Sequence, residues 1–147
     1  EDDLPAYNAL VLDSERNRFW GYDDVAGLEG PVEPDSFLKV ARQDFCKCMA
    51  VNFAVRLDGK LIGEAVLYRF NYKGDAELGC RIAKDYGGNG YGTEAFAAVA
   101  DWALYKVHLT RVVAKCYKEN AASFKMLSSC MKKCGEDETF FYFEKLV

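Results

Sequence analysis

The sequence predicts an α+β fold built on a mixed α/β sheet, and three observations carry that reading. Ala50 to Leu57 and Leu61 to Phe70 are apolar runs joined at Asp58-Gly59, a dipeptide favoured at the tip of a type I′ hairpin, and Asn71 to Asp75 turns the chain again into Ala76 to Ala83. Phe96, Val99, Ala100, Ala103, Leu104 and Val107 then recur at i, i+3, i+4, i+7, i+8 and i+11, the apolar stripe of an amphipathic helix. A strand-length run, Arg111 to Tyr117, a helix opened by Asn120 and a final strand from Thr139 to Lys145 complete the sheet.

Ahead of the meander, Leu4 to Leu12 reads as a short helix, and Ser14-Glu15-Arg16-Asn17 restarts the chain into Arg18-Phe19-Trp20-Gly21-Tyr22. Residues 26–34, with their glycines and prolines, read as a loop. Pro34-Asp35-Ser36 starts a helix through about Cys48 with Phe37, Val40, Ala41 and Phe45 on its inner face. Phe140-Phe141-Tyr142-Phe143 is too apolar for a free tail, while Lys132 to Glu136 stays open between strand and loop.

At 147 residues, half of them hydrophobic, the chain is expected to form a single domain over 1–147. Its charge of −4 is uneven: the first 36 residues carry ten carboxylates against Arg16 and Arg18, a balance of −8 that leaves +4 on the rest. An acidic front half argues against nucleic acid and suits an anionic cofactor at one end and a cationic acceptor at the other, although a solvated acidic surface gives the same count. No run approaches the ~18 apolar residues of a membrane span, and no signal-peptide pattern occurs, so a soluble protein without a membrane partner is expected. Six cysteines without framework spacing point to reduced thiols in the cytoplasm, and with His108 as the one histidine there is no metal-ligand pattern. His108 ends the amphipathic helix, where it suits the negative end of the dipole.

Between strand and helix lies Tyr86-Gly87-Gly88-Asn89-Gly90-Tyr91-Gly92-Thr93-Glu94-Ala95, with four glycines in its first seven residues. Such a run is entropically costly unless the backbone must take positive φ or approach a ligand closely. Because it feeds a helix N-terminus, free N–H groups and the macrodipole make it an anion site, and a phosphate-bearing ligand follows. No lysine follows the glycines, which excludes a P-loop. Gly90, Gly92 and Ala95 meet G-x-G-x-x-[GA], but the strand does not run directly into the first glycine, and no carboxylate stands in Thr110-Arg111-Val112-Val113, where a dinucleotide ribose would need one.

Gly90 to Ala95, G-Y-G-T-E-A, followed by Asn120-Ala121-Ala122-Ser123, N-x-x-S, resembles the acetyl-CoA site of the GNAT superfamily of N-acetyltransferases, within it the RimJ/RimL-like branch. The likeness covers about Ala50 to Gly135. It implies a central, mostly antiparallel twisted sheet with helices on both faces, acetyl-CoA as cosubstrate, and direct acetyl transfer to a primary amine of a protein N-terminus or small molecule. It also implies a first strand that is not visible ahead of the first helix. Two positions depart from the pattern: Gly87 stands where the loop usually has arginine or glutamine, and Cys130-Met131 where Gly-Phe usually follows the last helix. By the resemblance, Gly87, Gly88, Asn89, Gly90, Tyr91, Gly92 and Thr93 would hold the pyrophosphate, and backbone at Cys80 and Ile82 would pair with pantetheine. Asn120 and Ser123 would also touch the cofactor; Lys84, Lys118 and Lys125 are candidate contacts to the outer phosphates, with solvated surface lysines as their plainer role. The first helices would wall the acceptor cleft, making Trp20, Tyr22, Asp23 and Asp24 candidate substrate contacts; aromatic anchors and caps are their plainer roles.

The chemistry ranks the remaining needs. A lysine-like amine with pKa about 10.4 is neutral about once in 2,500 molecules at pH 7, a cost of roughly 4.6 kcal/mol, whereas an α-amine near 7.8 costs about 1. Glu77 and Glu64 are the candidate bases. Glu77 is preferred because the family places the thioester at that strand, with a cross-strand pair to about Arg69 as its alternative role. Glu64, in an apolar strand, must lie at a cleft or be paired. Leu127 replaces the tyrosine that commonly protonates the thiolate, which leaves Ser123 to hydrogen-bond the sulfur or simply to sit in the first turn behind the Asn120 cap. A CoA-binding module without turnover, or a nucleotide-cofactor oxidoreductase, are the alternatives, and a homodimer is an open partner state.

Overall fold

Asp58 and Gly59 take φ of 48° and 80°, the backbone of a type I′ turn, so the residues that predict the hairpin are the ones that make it. The turn joins β1 (Ala50–Leu57) to β2 (Lys60–Tyr68), and β3 (Asp75–Ile82) returns against β2 with Glu64 opposite Arg81 and Tyr68 opposite Glu77. These elements belong to a computed structural model that describes residues 2–25, 30 and 32–147. α1 (Leu4–Leu12), α2 (Ser14–Asn17) and α3 (Ser36–Cys46) precede the sheet; α4 (Tyr91–Tyr105), β4 (Arg111–Tyr117), α5 (Ala121–Cys130), β5 (Lys132–Glu136) and β6 (Phe140–Leu146) follow it. The loop expected at 26–34 falls largely outside the described residues.

The six strands run in the order β1-β2-β3-β4-β6-β5, and every neighbouring pair is antiparallel except β3 and β4. The parallel pair follows from the crossover through α4, which an antiparallel return would not need. Period-two alternation on β2 separates the layers. Ala65 and Leu67 join Phe96, Ala100 and Leu104 of α4 and Leu127 of α5 in the main core, while Glu64, Val66 and Tyr68 face Tyr7, Trp20 and Tyr22 on the other side. The result is a mixed α+β fold with helices on both faces of a mostly antiparallel sheet. Phe96, 1% exposed, anchors α4, and burial of such a side chain is worth about 1.5–3 kcal/mol. No described helix is long and apolar enough to cross a membrane.

Two expectations are corrected, and one open segment is assigned. Phe45 is 62% exposed, because the position one turn after Val40 and Ala41 that faces inward is Asp44, buried where it accepts the Tyr22 hydroxyl at 2.7 Å. Val107 lies beyond the end of α4 and is exposed, since the chain leaves the helix axis before His108, at φ 62°; His108 is thus outside the last helical turn. Lys132 to Glu136 is a strand, paired with β6.

Candidate active site

β3 and β4 pair only at Asp75↔Arg111, Ala76↔Val112 and Glu77↔Val113, after which they diverge. The fork opens a cleft of about 440 Å³ walled by Leu78 to Ile82 on one side and Ala114, Lys115 and Tyr117 on the other, with Met126 and Leu127 of α5 and Trp20 among its further walls. The Ala83 N–H donates to Ile62 O at 2.8 Å, so by the two-residue alternation of an antiparallel ladder Arg81 and Gly79 also address β2 with their backbone. Cys80 and Ile82 therefore turn their N–H and C=O groups to the fork. These unpaired backbone groups, inside a sheet rather than at its rim, form an edge for an extended amide-bearing ligand.

The glycine loop closes one end of the fork. A single 3₁₀ turn, Lys84–Tyr86, leads into Gly87; Gly88 and Gly90 take φ of 79° and 84°, and a Cβ on either would meet open space. A side chain at these two positions would be strained by its backbone rather than by neighbours. Asn89 folds the loop on itself, its amide donating to Tyr86 O and Gly87 O at 3.3 and 3.2 Å. Gly90 caps α4 without a side chain, and the Glu94 N–H, donating to Gly90 O at 3.0 Å, makes the first backbone bond of the helix. The preceding N–H groups of Tyr91, Gly92 and Thr93 are uncapped at the positive end of the dipole, the arrangement that suits a phosphate. Gly87 and Gly92 line the cleft; Asn120 and Ser123 line it too, with the Ser123 N–H donating to Asn120 Oδ1 at 3.1 Å. Asn120 is thus the cap of α5, and the hydroxyl of Ser123 sits against the buried Cys116 thiol.

At the fork's vertex stands Glu77. Its Oε1 accepts the Tyr68 hydroxyl at 3.0 Å and its Oε2 accepts Arg69 Nη1 at 2.7 Å, so the cross-strand partner expected at about Arg69 is present, with Tyr68 directly opposite. Burial and the neighbouring Glu77 charge push the Tyr68 phenol well above its usual range, keeping it a donor. Cys80, also on the cleft, has its thiol pushed up to about 12 by burial and, secondarily, by the charge of Glu64.

Glu64 takes the paired role rather than the cleft-edge one. It is 2% exposed and accepts from Arg81 Nε and Nη2 at 3.1 and 2.6 Å, from the Tyr7 hydroxyl at 3.0 Å and from Asn52 Nδ2 at 2.7 Å. Arg81 also donates to Asp24 at 2.9 Å and to Asn17 Oδ1, and stacks over the Trp20 ring at 4.2 Å. Of the candidate acceptor contacts, Trp20 lines the cleft. Tyr22 instead packs on Tyr68 at a centroid distance of 5.7 Å, and Asp23 is exposed in a turn where its Oδ1 accepts the Val25 N–H at 3.1 Å. Sequence reasoning missed Arg81, Tyr68 and Arg16, all on the cleft. The register of the β2–β3 hairpin could have found the first two.

Two carboxylates share one guanidinium here, and burial, opposed by Arg81 and reinforced by Glu64, pushes the Asp24 carboxyl up to about 6 from 3.8. An acid whose folded pKa is raised holds its proton longer in the native state, so its stabilising effect is complete below about 3.8 and is lost as pH rises to about 6. Asp24→Asn removes that dependence. In urea unfolding at pH 4 and pH 7, the wild type is expected to lose about 1–3 kcal/mol relative to the variant on going to the higher pH. Parallel curves would show that Asp24 ionises normally.

Comparison with known proteins places the fold and the family. YnaD, an uncharacterized N-acetyltransferase of Bacillus subtilis (strain 168), is 32% identical over 75 residues, 51% of this chain and 42% of its own length, so less than half of that relative is matched. The spermidine N-acetyltransferase from Vibrio cholerae in complex with CoA and spermine superposes at a TM-score of 0.80 and 16% identity, over 99% of this chain and 90% of that one. Ribosomal-protein-alanine N-acetyltransferase from Brucella melitensis superposes at 0.73 and 18%, over 99% and 95%. At such identities the two structures establish the fold. Residues 1–134 match the acetyltransferase (GNAT) domain, and the chain belongs to this family of N-acetyltransferases, whose acyl donor is acetyl-CoA.

Proposed function

We propose that the chain is an acetyl-CoA-dependent N-acetyltransferase of the RimJ/RimL-like branch that moves acetyl directly to a primary amine. The observation that carries this is the β3–β4 fork, which opens at one end on the uncapped N-terminus of α4 and at its vertex on Glu77. Acetyl-CoA, when bound, supplies the activated acyl group. The chain's own residues hold phosphate on the loop N–H groups, offer Cys80 and Ile82 backbone to an amide-bearing arm, and place Glu77 to take a proton from the amine, directly or through water. Ser123, on the cleft lining, is the hydroxyl that the N-x-x-S resemblance offers to the sulfur. Direct transfer is favoured because the Cys80 thiol, pushed up to about 12, is a poor nucleophile. The branch assignment rests on Gly90 to Ala95 with Asn120 and Ser123. All six cysteines are free, which supports a reducing, cytoplasmic setting.

The acceptor side is less acidic than the sequence suggests. Asp24 and Glu64 are spent on Arg81 and Asp23 lies off the cleft, so among the described residues Glu77 is the carboxylate on a lining that also carries Arg69 and Lys115. This favours the single α-amine of a protein N-terminus over a polycation.

Calorimetric titration with acetyl-CoA and CoA, followed by thiol release with an N-terminal alanine or serine peptide and with spermidine, tests the proposal. Binding is expected in the wild type and none in Gly90→Val, where a β-branched residue at φ 84° costs about 1–2 kcal/mol and fills the space beside the helix end. A wild type that does not bind acetyl-CoA sinks the proposal; binding without thiol release to any amine identifies a silent CoA-binding module.

A further inference from the structure

Position 87 carries no side chain where the family loop usually has arginine or glutamine, yet a guanidinium stands there. Arg16, on α2, lines the same cleft, and its Nη1 lies 4.0 Å from where a Cβ at Gly87 would be. Its neighbours on the front half are neutralised. Lys84 pairs with Glu15 at 3.1 Å and Arg18 with Glu119 at 3.5 Å, while the nearby Asp13 carboxylate is committed to the backbone N–H groups of Glu15 and Arg16. Among the described residues no carboxylate pairs with Arg16, and its Nε is buried without an acceptor. A half-buried guanidinium on a cleft wall, its Nε buried without an acceptor and no carboxylate paired with it among the described residues, is matched to an anion that arrives with the ligand. The position beside the glycine loop and the α4 N-terminus selects which part of the ligand that is.

Resting on the acetyl-CoA reading, we propose that Arg16 is a pyrophosphate-binding residue, supplied by α2 in place of the side chain that position 87 lacks.

The test is calorimetry on Arg16→Gln with CoA, dephospho-CoA and pantetheine, beside the wild type. A charge-assisted hydrogen bond to phosphate predicts CoA and dephospho-CoA binding weakened about 10- to 100-fold, with pantetheine binding unchanged. The Arg16→Gln/Gly87→Arg double variant is expected to recover most of the loss. Gly87 sits at φ −65° and ψ 155°, open to any residue, and its Cβ needs Lys84 O, 3.3 Å away, to yield only slightly. Unchanged CoA binding in Arg16→Gln, or an equal loss for pantetheine, overturns the proposal, and a loss confined to CoA reassigns Arg16 to the 3′-phosphate and overturns it too. A wild type that fails to bind CoA would instead remove the parent reading, and the wild-type titration reports that first. A melting curve on each variant separates misfolding, which the double variant would not repair, from lost phosphate contact.

Discussion

Arg81→Met is expected to destabilise the protein by about 3–5 kcal/mol at pH 7, a large fraction of the 5–15 kcal/mol typical of a domain. Arg81 is 5% exposed, and its guanidinium serves Glu64, Asp24 and Asn17 while lying over Trp20. Methionine fills the space but leaves two buried carboxylates without a cation, and such a charge costs far more than the intact cluster contributes. The cluster also joins the N-terminal segment to the sheet, since Asn17 and Asp24 come from one side and Glu64 and Arg81 from β2 and β3. Adding Glu64→Gln and Asp24→Asn should therefore return much of the loss, because neutral amides remove the uncompensated charge. Urea unfolding of the three proteins measures it. If Arg81→Met lost under about 1 kcal/mol, the site would have to be water-filled, with its charges solvated.

Glu77→Gln is expected to lower kcat/KM by about 10²- to 10⁴-fold, the usual contribution of a general base. Tyr68 and Arg69 each take one lone pair on a different oxygen, which holds the carboxylate in place and leaves each oxygen a second acceptor position. The cost should depend on the acceptor. An α-amine near pKa 7.8 needs about 1 kcal/mol to be neutral at pH 7 and a lysine-like amine about 4.6, so the variant should retain more activity on a peptide N-terminus and recover it as pH rises. If Glu77 is only the partner of Arg69, its loss should cost about 0.2–1 kcal/mol of stability and leave the rate nearly unchanged. A pH–rate profile of both proteins on a peptide and on a lysine-like amine decides between the two; identical profiles would remove Glu77 from the chemistry.

The elements were legible because their causes are local. The period of 3.6 in Phe96 to Leu104 and the Asp58-Gly59 turn each depend on residues within a few positions of one another. The glycine loop was legible for the same reason: positive φ at Gly88 and Gly90 is a property of the backbone at those residues. Phe45 and Val107 were misplaced because a helical stripe read from sequence alone does not know that Asp44 has a partner in Tyr22, or where the helix stops.

What the sequence by itself determined is thus the order of most strands and helices, the glycine loop that opens α4 and the family. The tertiary structure decided which carboxylate faces the cleft. Setting Glu77 opposite Arg69 puts Glu64 across from Ile82, whereas the observed register, one residue away, puts it across from Arg81 and closes a buried ion cluster. It also decided that β3 and β4 part after Glu77, and that Arg16 arrives beside Gly87 from another helix. Each of these is a relation between segments far apart in the chain. Strand register and the docking of helices on a sheet are set by the packing of the whole core, which no local pattern records.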